Sequence, residues 1–123
     1  MPVIDPTDQR HHELHGAHFD ALASPSLGSR ETSVWRLRLE PDTPGVAHRV
    51  TREEIFVVLA GSATASLDGT AHHLAAGSTL VLPAGVELSL ETGADQLEAI
   101  VCLPVGGQGV IGDGRPFTPP WAE

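Results

Sequence analysis

Turn-forming residues recur along this sequence at short, near-regular intervals, and no other feature limits its fold as much. They stand at Pro41-Asp42-Thr43-Pro44-Gly45, Ala60-Gly61-Ser62, Asp68-Gly69, Ala76-Gly77-Ser78, Pro83-Ala84-Gly85 and Thr92-Gly93. Glycine supplies positive φ and proline removes a backbone donor, so each cluster ends the regular element before it. The segments between them are short, and several alternate apolar with polar residues. Val34 to Leu39 puts Trp35, Leu37 and Leu39 on one face and Val34, Arg36 and Arg38 on the other, the pattern of a half-buried strand. Ala63 to Leu67 and Ala71 to Ala75 flank Asp68-Gly69-Thr70, which predicts a hairpin. Further strands are expected at about 54–60, 78–82, 86–91 and 96–103. Many short strands at even spacing predict an all-β sandwich or barrel.

The two ends read differently. Residues 7–23, with His11, His12, His15 and His18, are expected to form a polar arm with at most one helical turn. The histidine spacing could also close a metal clip, although a polar arm is the commoner origin of such a run. The tail from Gly106 is too rich in glycine and proline for a ladder or a helix and is expected to run extended over the surface. Its Phe117-Thr118-Pro119-Pro120-Trp121 segment is read as packing on the outside, with capping of a pocket as the alternative.

The 123 residues suit one domain, with a core barrel at about 30–103 between arms at 1–29 and 104–123. A formal net charge of -9, with no lysine, lacks the basic surface that phosphate neutralisation needs, so nucleic acid is not an expected partner. No apolar run reaches the length of a membrane span, and the N-terminus has no basic-then-apolar leader, so a cytoplasmic protein without a membrane partner is expected. Cys102 is alone, which excludes an internal disulfide; on its strand it reads as an inert buried thiol. Ile55-Phe56-Val57-Val58-Leu59 is apolar at every position. On a strand, one of its faces enters the interior and the other needs a second layer, either a terminal arm or another subunit. A homodimer is expected.

Two spaced patterns then fit together. Glu54 is followed after six residues by Gly61, and Gly77 after five by Pro83-x-Gly85. With His48 ahead of Glu54, this resembles the two signature motifs of the cupin superfamily, over roughly residues 30–103. The resemblance implies a small jelly-roll barrel with His48 and Glu54 facing inward. It also implies a divalent metal, which cupins of the metal-binding type hold with three histidines and one glutamate. Here His48 and Glu54 are kept, whereas the other two histidine positions read Val50 and Leu88. Neither hydrocarbon side chain can donate a lone pair. A metal on His48 and Glu54 would need further ligands, and either His72 or His73 could face the interior to supply one.

Alternation adds a lining. With Glu54 inward, Phe56 and Val58 follow, Leu88 brings Leu90, and Trp35 floors the barrel, so the expected pocket comprises Trp35, Val50, Phe56, Val58, Leu88 and Leu90. Burial raises a carboxyl pKa, while a hydrogen bond between His48 and Glu54 would favour the ion pair; the balance suits a general acid or base. The expected function is binding of an apolar or aromatic small molecule, with isomerisation, cyclisation or dehydration by His48 and Glu54. A metal-dependent oxygenase or isomerase and a non-catalytic binding module remain open beside it.

Overall fold

The computed structural model describes residues 3–123. Ten strands account for nearly all of its regular structure: β1 (Arg10–Leu14), β2 (Ala17–Ala23), β3 (Thr32–Leu39), β4 (Arg49–Val50), β5 (Glu54–Leu67), β6 (Thr70–Ala75), β7 (Thr79–Leu82), β8 (Leu88–Glu91), β9 (Leu97–Pro104) and β10 (Gly109–Val110). All pairings are antiparallel and give a jelly-roll. The main path runs β1-β2-β3-β9-β5-β6, with β7 and β8 also on β5, and β10 pairs with β4.

The expected strands at 54–60 and 63–67 are one long strand. Its first half pairs with β7 on one side and β9 on the other, and its second half with β6 and β8. The register with β9 shifts between Val58 and Ala60, just before Gly61 at φ 78°. A Cβ at Gly61 would overlap the Gln96 carbonyl, so the motif glycine lets β5 change partners while lying against the backbone ahead of β9.

Period-two alternation places the core. Trp35, Leu37 and Leu39 of β3, Phe56 and Val58 of β5, and Leu97, Ala99, Val101 and Leu103 of β9 are all buried on one side of the sheet. On the other side Arg36 donates to Glu98 at 2.9 Å, as expected for a bridging arginine.

Two expectations fail at the ends. Residues 10–23 are a β-hairpin, not an arm, and β2 extends the main sheet along β3. Its turn, His15 at φ 48° and Gly16 at φ 83°, matches Asp68-Gly69 at 46° and 84° in the β5–β6 hairpin. Both pairs have the double positive φ whose twist suits tight hairpins. The tail from Gly106 does support a ladder, short as it is, because β10 pairs Gly109 with Val50 and Val110 with Arg49. It then bridges Gly109 to Phe117 and ends in a 3-10 turn at Pro120–Ala122, where Ser33 donates to the Ala122 carbonyl at 3.1 Å. Among the described residues, no helix is long and apolar enough to cross a membrane.

Candidate active site

A cavity of about 430 Å³ opens inside the jelly-roll. The strands supply its floor: Trp35, Leu37 and Leu39 from β3, Val50 from β4, Phe56 from β5 and Leu90 from β8. Val58 and Leu88, expected in this lining, are instead packed in the core, 2% and 0% exposed, and do not reach the cavity. Leu88 is held against the chain ahead of β4, where the backbones of His48 and Leu88 exchange hydrogen bonds of 3.0 and 2.8 Å.

The upper wall comes from the two ends of the chain. His12 and Phe19 reach in from the hairpin, and Phe117 and Trp121 from the tail. Trp121 stacks on Phe19 with ring centroids 3.6 Å apart and planes 2° from parallel, and meets Trp35 edge-on at 6.4 Å. The tail therefore closes over the cavity, which corrects the expectation that it packs outside. His12 and Phe19 were missed because the histidine run obscured a period-two strand. The alternation of Ala17, Phe19 and Ala21 after His15-Gly16 was the available signal.

Polar side chains interrupt the apolar wall: His48 and Glu54 lie in it, together with His12, Glu13 and His15 of the hairpin and Thr43. The half-buried His48 donates from Nδ1 to the Val46 carbonyl at 3.0 Å, which leaves Nε2 as the ring nitrogen without a hydrogen bond. Glu54 begins β5 and is 4% exposed, and its Oε1 is buried without a hydrogen-bond partner. Burial alone pushes its carboxyl from 4.5 up to about 8. The expected His48–Glu54 hydrogen bond is not formed: the His48 ring bonds to a carbonyl, and Glu54 Oε1 bonds to nothing. Without a cation beside it, an acid in hydrocarbon keeps its proton.

The donor set does not fit the metal that the motif resemblance implies. Val50 and Leu88 are 4% and 0% exposed and hold hydrocarbon where lone pairs are required. His72 and His73 do not substitute, because both are exposed on β6 and neither lines the cavity. Two donors, His48 Nε2 and the Glu54 carboxyl, make an incomplete shell. Cys102 is half-buried with its thiol pushed up by burial, in keeping with an inert role.

The cupin domain family matches residues 35–105 of this chain. The sequence has no significant match among curated proteins. Among solved structures, the polyketide cyclase RemF from Streptomyces resistomycificus is similar over 85% of this chain and 79% of its own, at 18% identity and TM-score 0.75. An RmlC-like cupin from Shewanella frigidimarina is similar over 85% and 90%, at 14% identity and TM-score 0.72. A salicylate 1,2-dioxygenase from Pseudoaminobacter salicylatoxidans is similar over 85% of this chain and 31% of its own, at 16% identity and TM-score 0.72.

Proposed function

The chain belongs to the cupin domain family, and from that premise we propose that its cavity is a reaction chamber for a small apolar or aromatic molecule, with Glu54 as proton donor and His48 as proton acceptor. The observation that carries this reading is a buried carboxyl whose Oε1 has no partner, raised by burial to a pKa of about 8, in the wall of a largely apolar cavity. A neutral carboxyl can donate a hydrogen bond and then its proton to a carbonyl oxygen or a departing hydroxyl. The free Nε2 of His48 can accept a proton released elsewhere on the same substrate. Cyclisation with loss of water needs both events, and isomerisation needs the same pair in sequence. The cavity volume lies within the range of small-molecule sites. That the fold is similar to that of a polyketide cyclase agrees with an aromatic ligand and a cyclisation, at the level of fold.

Two tryptophans line the cavity, so occupancy is readable directly. Titration with naphthols and bicyclic aromatic ketones should quench tryptophan fluorescence saturably, at one molecule per chain and at micromolar to low millimolar concentration. Unchanged fluorescence across that series would overturn the reading. Saturable binding without turnover of any hydroxyketone tested, in wild type and Glu54→Gln alike, would leave a binding module.

The outer face of the sheet supports a homodimer. Val57 and Leu59 of β5 and Val81 of β7 are 37%, 48% and 49% exposed, with Ile55 paired to Val81 across the same strands. A contiguous apolar stripe of this kind on a small domain suits a self-complementary interface. Light scattering should give twice the chain mass for the wild type and a monomer for Val57→Arg. A monomeric wild type would end the proposal.

A further inference from the structure

The hairpin that replaces the expected arm carries a second polar cluster, whose two histidines, His11 and His18, lie outside the cavity lining. In β1, His12 lines the cavity and Glu13 stands at its rim, whereas the exposed His11 does not line it. In β2, Phe19 faces inward, so His18 and Asp20 face outward. The register sets Glu13 directly across from His18 and His11 directly across from Asp20. His11 Nδ1–H donates to Asp20 Oδ1 at 2.6 Å, and His18 Nε2–H donates to Glu40 Oε2 at 2.8 Å. Each carboxylate can only accept, so each fixes the tautomer of its histidine. The nitrogens left over, His11 Nε2 and His18 Nδ1, lie 3.5 Å apart. Glu13 Oε2 lies 3.6 Å from the second and 4.0 Å from the first.

Three atoms that can each donate a lone pair thus converge, and a proton or a metal ion between them relieves their mutual repulsion. We propose that His11, His18 and Glu13 bind a divalent transition metal, with Asp20 and Glu40 orienting the two imidazoles. A point equidistant from the three atoms lies about 2.1 Å from each, the length of zinc bonds to imidazole nitrogen and carboxylate oxygen. Two imidazoles and a carboxylate suit zinc, nickel or copper and not the oxygen-preferring calcium or magnesium. The ligands stand on paired strands joined by a two-residue turn, so little ordering accompanies binding. Glu13, Asp20 and Glu40 surround the ion with negative charge, while of the two arginines on this face Arg36 is engaged by Glu98. The site shares no residue with the His48 and Glu54 pair, and the exposed side chains of His11 and Glu13 leave open positions of the metal to solvent.

Calorimetric titration of the tag-free protein with zinc alone decides the matter. One equivalent should bind tightly in the wild type and in His48→Ala. His11→Gln and Glu13→Gln, both at exposed positions, should each weaken binding at least tenfold. Asp20→Asn, which changes no ligand, should weaken it between tenfold and a hundredfold, the usual effect of removing an orienting carboxylate. With copper in place of zinc, the electron paramagnetic resonance spectrum should show two nitrogen couplings, falling to one in His11→Gln. Zinc binding that is absent in the wild type, indifferent to the hairpin substitutions, or lost in His48→Ala would overturn the assignment. Melting curves without metal that match the wild type show that a weakened variant has kept its fold.

Discussion

Glu54→Gln should make the protein more stable at alkaline pH, leave it nearly unchanged in acid, and remove its turnover. The carboxyl is 4% exposed, its Oε1 has no partner, and burial raises its pKa from 4.5 to about 8. In the unfolded chain the same proton leaves near 4.5. Between those values the folded state holds more protons than the unfolded one, so stability falls as pH rises. The contribution of Glu54 is complete below about pH 4.5 and lost by about pH 8. At about 1.4 kcal/mol per pH unit, the window amounts to a loss of up to about 5 kcal/mol. Glutamine keeps the shape and has no proton to lose, so its own cost is the burial of an amide, about 1 kcal/mol.

Urea midpoints measured at pH 4.5, 6.5 and 8.5 should therefore show a gap between variant and wild type that widens with pH in favour of the variant. A constant gap would mean that Glu54 is solvated or paired in solution. On a turned-over substrate the same substitution should lower the rate at least a hundredfold, the usual contribution of a positioned acid. Stability and activity moving in opposite directions is the signature of a group retained for chemistry. Equal turnover in both proteins would remove Glu54 from the mechanism.

The barrel was legible in the sequence because its determinants are local. The double positive φ of Asp68-Gly69, the alternation of β3, and the spacing of Gly61, Gly77, Pro83 and Gly85 each act within a few residues. The places of Glu54 on β5 and of His48 just ahead of β4 follow in the same way from their distance to Gly61, while their role is part of the proposed function. What failed depended on contacts between distant segments. Whether His48 bonds to Glu54 or to the Val46 carbonyl depends on ring orientation, which no spacing encodes. Val58 and Leu88 share the inward face with true lining residues and differ only in depth. Phe19 and Trp121 lie about a hundred residues apart, and neither has a local pattern that announces the other. The hairpin was misread because four histidines looked like a solvated run, although His12 and His15 line the cavity while His11 and His18 do not.

Trp121→Ala should open the cavity and cost the protein more stability than its half-buried position suggests. The indole stacks flat on Phe19 at 3.6 Å and edge-on to Trp35 at 6.4 Å, so three rings from the hairpin, the sheet and the tail meet at one point. Removing a fully buried tryptophan costs about 3–5 kcal/mol, and an aromatic stack adds about 1 kcal/mol beyond the area it buries. Partial exposure lowers the first figure, which leaves about 2–3 kcal/mol. The rest of the tail stays anchored through the β10–β4 pairing and the Ser33 bond to Ala122, so loss of the ring does not require loss of the fold. Because Trp121 is part of the cavity wall, affinity for an aromatic ligand should fall at least tenfold in the same variant. Trp121→Phe should recover most of both, since a smaller ring can still stack on Phe19. Affinity unchanged in Trp121→Ala, with stability reduced as expected, would make the tail a structural strap and leave the ligand to the floor of Trp35, Val50, Phe56 and Leu90.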